Sequence, residues 1–203
     1  MDTSSLTSRM IRAAKLDVSL FEEVEHDTSL DQQALLVVII AAAAAGIGAL
    51  LAGIIGGVLG GLLGADIMAV GGGFMVTIFS TIWVVVFTVI GYYIWAFVTQ
   101  WVGTNLFEGT ADFGEVKRAL GYAYAPQVLN VFSFIPCLGT LLSFVTSIWT
   151  LAAAFYALRE ALDLDSTKTI ITLVIGWVII MVISFLIASL IGGAGMLAGG
   201  ILS

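Results

Sequence analysis

Residues 119–158 read ALGYAYAPQVLNVFSFIPCLGTLLSFVTSIWTLAAAFYAL, forty positions without a charged side chain. A helix needs about 20 apolar residues to cross roughly 30 Å of hydrocarbon, so a run of this length holds two crossings if a turn divides it. Pro136 removes a helix donor and Gly139 permits a reversal. The stretch therefore predicts one span over 119–135 and a second over 138–158.

The same reading extends outward in both directions. Uncharged runs of 34, 41 and 35 residues lie between Asp31 and Asp66, between Asp66 and Glu108, and after Lys168. They predict spans over 34–60, 74–101 and 169–191. Gly71, Gly72 and Gly73 are expected to interrupt the helix ahead of the second of these. Trp95 and Trp101 near its end suit a headgroup boundary. The chain is 60% hydrophobic and only 10% charged, against about 25% charged residues in soluble domains. An all-α integral membrane protein with five transmembrane helices follows, with lipid covering much of its surface. Its organisation divides into a cytoplasmic amphipathic segment over 1–33, a five-helix membrane domain over 34–192 and a glycine-rich tail over 193–203.

The seven Lys and Arg residues test the count. Arg9, Arg12 and Lys15 precede the first span, Lys117 and Arg118 lie between spans two and three, and Arg159 and Lys168 lie between spans four and five. Five crossings put all of them on one side, which the positive-inside rule makes cytoplasmic. The N-terminus is then cytoplasmic and the C-terminus external. Of the fourteen acidic residues only Asp66 falls outside, so the cytoplasmic face carries a formal charge of −6.

That charge excludes nucleic acid as a partner, because phosphate contacts need clustered cations. It equally disfavours electrostatic adhesion to anionic headgroups. The single cysteine, Cys137, allows no internal disulfide and reads as a small buried or lipid-facing residue. The polar, acidic start is not a secretory signal. Leu6, Met10, Ile11 and Ala14 recur at helical spacing beside three basic residues, and Ser19 with Glu22 forms a capping-box pattern ahead of Leu20, Phe21 and Val24. Two short N-terminal amphipathic helices follow. They lie on the membrane, dock a partner, or pack as a cap on the bundle. Thr28 with Asp31 is expected to cap the first span.

No charged residue falls inside the five spans, which argues against a proton relay or voltage sensor. Nothing points to catalysis, a metal or a cofactor. His26 stands among consecutive carboxylates that point apart on a helix and reads as solvated. Gly53, Gly57 and Gly61, and in parallel Gly56, Gly60 and Gly64, form rows of small residues that let helices approach closely. They suit packing within the chain or contact between copies. Glu108, Asp112, Glu115, Lys117 and Arg118, with Arg159 and Glu160 across the next connection, make a mixed cytoplasmic patch. Asp112 is placed to cap a helix beginning near Phe113. Pro126 should bend span three beside Tyr122 and Tyr124, whose hydroxyls can stay wet at the interface. Pro136 marks the turn.

The run FGEVKRALGYAYAPQVLNVFSFIPCLGTLLSFVTSIWTLAAAFYALREALDL, followed by TKTIITLVIGWVI, resembles the Yip domain of the Ypt/Rab-interacting membrane proteins. The resemblance implies five spans and a cytoplasmic N-terminus. In eukaryotic members it implies Rab GTPase binding, trafficking and membrane shaping. Their DLYGP motif is missing here and their long N-terminal domain is reduced to a short segment, so Rab GTPase binding is not expected. The short form resembles the prokaryotic relatives, which implies a prokaryotic plasma membrane. The function that follows is a non-enzymatic membrane scaffold or adaptor. It is homo-oligomeric or bound to another membrane protein. The alternative is a passive channel or a small-solute or lipid transporter, suggested by the bent third span and the hydroxyls of Thr146, Ser147 and Thr150.

Overall fold

The structure, a computed structural model, describes the backbone of residues 5–64 and 67–201 and the side chains of 5–64, 76–79, 81–187 and 189. Every regular element among these residues is helical. The elements are α1 (Leu6–Ala14), α2 (Val18–His26), a 3-10 turn (Thr28–Leu30), α3 (Asp31–Leu62), α4 (Ile67–Phe107), α5 (Phe113–Ala123), a 3-10 segment (Ala125–Phe134), α6 (Leu138–Ala161) and α7 (Ser166–Ile201). Among the described residues four helices are long and apolar enough to cross a membrane, within α3, α4, α6 and α7. Asp66, the one carboxylate assigned to the far side, lies outside the described residues.

The direction of each element is fixed by where small residues meet their neighbours. A Cβ on Gly46 would lie 2.8 Å from Thr81 Cγ2, and one on Gly53 would lie 2.8 Å from Thr77 Cγ2, so α3 and α4 run antiparallel. Gly121 abuts Ala34, while Gly48 abuts the Asn130 carbonyl and the Ser133 hydroxyl. The α5 and 3-10 unit therefore runs in the direction of α3. Gly139 sits against the Ser133 backbone, and Thr146 Oγ1 donates to Asn130 Oδ1 at 2.9 Å, which brings α6 back. Lys168 Nζ donates to the Phe107 carbonyl at 3.4 Å, and Gly176 packs on Thr99 and Trp95, so α7 runs against α4. One end of the bundle thus gathers the starts of α3, α5 and α7 and the ends of α4 and α6. The helices α1 and α2 close over that end, with Ala13, Leu20, Phe21 and Val24 fully buried. The N-terminal segment is a cap packed on the bundle.

Three expectations from the sequence need correction. Gly71–Gly73 do not break the second apolar run, because α4 begins at Ile67 and passes through them. Glycine's entropic cost in a helix is about 1 kcal/mol, whereas an unpaired backbone group in an apolar medium costs several, so the helix continues through the run. The third span is not one bent helix over 119–135. Pro126 lacks an N–H and disfavours the α conformation in the residue before it, so the 11-residue α5 gives way to a 10-residue 3-10 segment. The caps also move. Asp17, not Ser19, caps α2, and Asp27, not Thr28, caps the 3-10 turn. In each case the carboxylate accepts both the N–H and the hydroxyl of the serine two residues on. A carboxylate is the stronger acceptor, and the hydroxyl serves it as a donor.

The Pro136 turn is built as the sequence implies. Leu138 N donates to the Pro136 carbonyl and Gly139 N to the Ile135 carbonyl, both at 2.7 Å. Cys137 takes φ 65° there and is exposed. At the other end of the chain the α7 backbone stays helical through Ile201, past the start expected for a glycine-rich tail.

Candidate functional site

The capped end is organised around Arg118. The helix α5 starts at a capping box, in which Asp112 accepts from Glu115 N and Glu115 accepts from Asp112 N, each at 2.8 Å. That start sets Lys117 and Arg118 against the N-terminal helices. Arg118 is 4% exposed. Its Nε donates to the carbonyls of Val24 at 3.1 Å and Glu25 at 3.2 Å, its Nη2 donates to Glu25 as well, and its Nη1 pairs with Asp31 Oδ1 at 3.1 Å. Those carbonyls close the last turn of α2, where backbone acceptors lack helical donors and the helix dipole favours a cation. Asp31 opens α3, where the dipole favours an anion. Lys117 Nζ meets its other oxygen at 2.8 Å. One guanidinium therefore ties α5, α2 and α3 together.

Further hydrogen bonds extend the network. Tyr92 on α4 donates to the Lys117 carbonyl at 2.6 Å. Tyr122 donates to Gln33 Oε1 at 3.1 Å, and Arg9 reaches Glu23 and the same Gln33 oxygen, also at 3.1 Å. Trp149 Nε1 donates to the Ala14 carbonyl at 2.7 Å, fastening α1 to α6. Tyr122 is thus fully buried with its hydroxyl bonded to protein, rather than wet as its interfacial position suggests.

Charge in the cap is unevenly matched. Burial works to raise the Asp31 carboxyl, but hydrogen bonds from Lys117 and Arg118 outweigh it and hold the group below its ordinary range. Glu25 is the opposite case. It is 6% exposed and its Oε2 has no protein partner. Burial pushes this carboxyl up to about 7; His26 opposes the rise, and Asp163, Glu115 and Glu160 add to it. Around these groups the surface is acidic, with Glu22, Asp27, Glu108, Asp112, Asp163 and Asp165 exposed. The cations are largely used internally. Arg12 pairs with Asp17 and Glu23, and Arg159 pairs with Glu160 at 2.8 Å while lying over the Tyr156 ring.

The residues singled out from the sequence are partly brought together. Asp112 and Glu115 pair in the α5 capping box and Lys117 and Arg118 converge on Asp31, whereas Glu108 stands apart at φ 63° and Arg159 with Glu160 forms its own pair. In the glycine rows Gly53 meets α4, but Gly56, Gly61 and Gly64 have open space where a side chain would project. Gly57 and Gly60 are partly exposed beside them. Gly64, at φ 89°, closes α3 in the left-handed region. Tyr124 packs edge-on to Tyr92 and Trp95, and Pro126 is buried near the start of the 3-10 segment. Pro136 is exposed at its turn.

A model of the Yip1 domain matches residues 18–199. The chain belongs to the Yip1 domain family. The match begins at α2, so it takes in most of the cap as well as the bundle. Neither a search of curated proteins nor a search of solved structures finds a match. As a Yip1-domain protein the chain is a multi-pass membrane protein in contact with the bilayer.

Several central residues of this Yip1 domain escape sequence reading. Glu25 looks like one of four solvated acids, Asp31 like a helix cap, and Arg118 like an exposed loop cation. One signal was available for Arg118. In the α5 sequence it is flanked by Val116, Ala119 and Leu120, all fully buried, so its backbone already sits on the packed side of the helix.

Proposed function

We propose that this Yip1-domain protein is a non-enzymatic membrane scaffold or adaptor that presents a pre-folded acidic cap in the cytoplasm. The observation that carries the reading is the Arg118 network, which holds α2, α3 and α5 as one rigid platform while leaving carboxylates on its surface. A platform built this way suits a basic juxtamembrane segment of another membrane protein, because steering and register come from complementary charge.

The topology in this reading has five crossings, the N-terminus in the cytoplasm, the C-terminus outside, and a prokaryotic plasma membrane as the home. Two arguments support it. The uncharged end of α5, residues 119–123, and the 10 residues of the 3-10 segment rise together by about 28 Å, close to the roughly 30 Å of hydrocarbon. All seven Lys and Arg residues fall at or near the capped end in this arrangement, as the positive-inside rule requires.

Crosslinking in native membranes tests the adaptor. A photo-reactive residue at Asp165 or Glu108 is expected to yield an adduct with a second membrane protein or a second copy, with a yield that falls as salt screens the cap. Recovery of monomer alone from both positions, at low salt, contradicts the proposal.

A further inference from the structure

Glu25, in the last turn of α2, is a carboxyl that the protein encloses without pairing. The residue is 6% exposed, and its Oε2 is buried with no partner among the described residues. His26 Nε2 lies 3.6 Å from its Oε1, beyond hydrogen-bond length, on an imidazole that is itself exposed. Three further carboxylates face it: Glu115 from α5, Glu160 from α6 and Asp163 from the connection into α7. The 3-10 turn that follows α2 brings no titratable group. The cations around α2 are bound elsewhere. Lys117 and Arg118 on α5 hold Asp31, Arg159 on α6 holds Glu160, and Arg9 and Arg12 on α1 hold Glu23. The helix dipole adds to the imbalance, because an anion in the last turn meets the negative end of its own helix.

The two protonation states therefore differ in what they ask of the fold. Neutral, the side chain leaves at most one hydrogen bond unmade. Ionised, it is a desolvated anion beside three others, and the protein escapes that cost either by taking up a proton or by moving the group into water. Burial is the largest of the causes that raise this carboxyl to about 7, so the change of state falls near neutral pH. What moves is set by the backbone of the same turn. The carbonyls of Val24 and Glu25 take the Arg118 donors that fasten α2 to α5. Leu20, Phe21 and Val24, fully buried, precede Glu25 on the same helix. Lifting this turn hydrates the carboxylate and gives up those contacts together.

We propose that Glu25 is a proton-operated latch, which with its proton keeps α2 seated on α5 and α6 and without it lets the end of α2 lift, uncovering the apolar face of Leu20, Phe21 and Val24. The closed form is the cap described above, favoured in mild acid; the open form is favoured in mild base. The latch concerns the cap alone and does not rest on the adaptor reading, since no partner takes part in it.

Thiol accessibility in the full chain, purified in mild detergent, tests it. Val24→Cys in a Cys137→Ser background places a reporter on the buried face, and Leu20→Cys places a second one a turn earlier should the first not fold. Asp165→Cys, exposed in the folded chain, corrects for the chemistry of the thiol itself. The rate of reaction with a small soluble maleimide, relative to Asp165→Cys, should rise roughly 25-fold from about pH 5.5 to about pH 8, the linkage expected of a carboxyl that returns from about 7 to its ordinary value on exposure. Adding Glu25→Gln should remove the rise. Ala153→Cys, buried in α6, should stay unreactive throughout. A relative rate at Val24→Cys and Leu20→Cys that does not change with pH would overturn the latch, as would the same rise with Glu25→Gln present. An equal rise at Ala153→Cys would show the whole bundle loosening and would overturn a movement confined to α2.

Discussion

The two ends of the bundle are made of the same helices and differ in what covers them. At the capped end Leu20, Phe21, Val24, Val116 and Leu120 are fully buried. At the far end of α3, Val58, Leu62 and Leu63 are 60%, 79% and 85% exposed. The capped end is built as a water-soluble core is built, with side chains covering one another and a polar network satisfying the backbone around it. The far end leaves large apolar side chains uncovered, which only hydrocarbon tolerates. Contact within the chain therefore carries stability at one end, and the bilayer supplies it at the other.

Substitutions that strike one end and spare the other test this contrast. The largest effect is expected from Arg118→Met. It strips donors from two α2 carbonyls, a loss of about 2–4 kcal/mol, while Asp31, 41% exposed and still paired with Lys117, adds little. Hydrogen exchange should rise sharply through 18–30 while the far half of α3 stays unchanged; uniform protection in both regions would break the comparison.

Next come paired glycine changes. A Cβ on Gly121 would lie 2.8–3.0 Å from Ala34, including its backbone carbonyl, which has little room to give. Gly121→Val should cost about 1–3 kcal/mol by overpacking. Gly56→Val, facing open space, should leave the melting temperature within about a degree, since it touches only lipid. Equal losses at the two sites would show that the far end is packed after all.

The pH dependence should come from the cap. Glu25 is raised from about 4.5 to about 7 in the folded protein, so the fold favours its neutral form. Its stabilising effect is complete below pH 4.5 and is lost as pH rises through 7, about 2 kcal/mol between pH 5 and 8. Asp17, Glu23 and Asp31 are lowered, so their contribution is present above their ordinary values and lost in stronger acid. Cap protection should peak near pH 5, and Glu25→Gln should flatten the decline toward pH 8. The smallest effect is expected from Tyr92→Phe, about 1 kcal/mol for the hydroxyl that serves the Lys117 carbonyl. A thermal melt read by circular dichroism measures it.

Hydropathy made the apolar runs legible, and Pro136 with Gly139 located one turn, because those signals depend only on residue type and local geometry. The helix through Gly71–Gly73 was not legible, since in an apolar medium the cost of unpaired backbone groups outweighs glycine's small entropic cost. The change from α5 to a 3-10 segment was half legible. Pro126 announces a disturbance, but whether the chain kinks or tightens depends on α3, where Gly48 admits the Asn130 carbonyl. The network at Arg118 was hidden for another reason. Its partners are backbone carbonyls of residues more than ninety positions away, and carbonyls have no signature in sequence.

The central claim is that α5 and the 3-10 segment cross the bilayer, so that the Pro136 turn and the acidic cap face opposite compartments. Cys137, the chain's single cysteine, is exposed at that turn and gives the direct measurement. In intact cells a membrane-impermeant maleimide should label Cys137 of the wild-type chain. A second chain carrying Asp165→Cys and Cys137→Ser should react only after the membrane is opened. Labelling of both from the same side would contradict the five-crossing account.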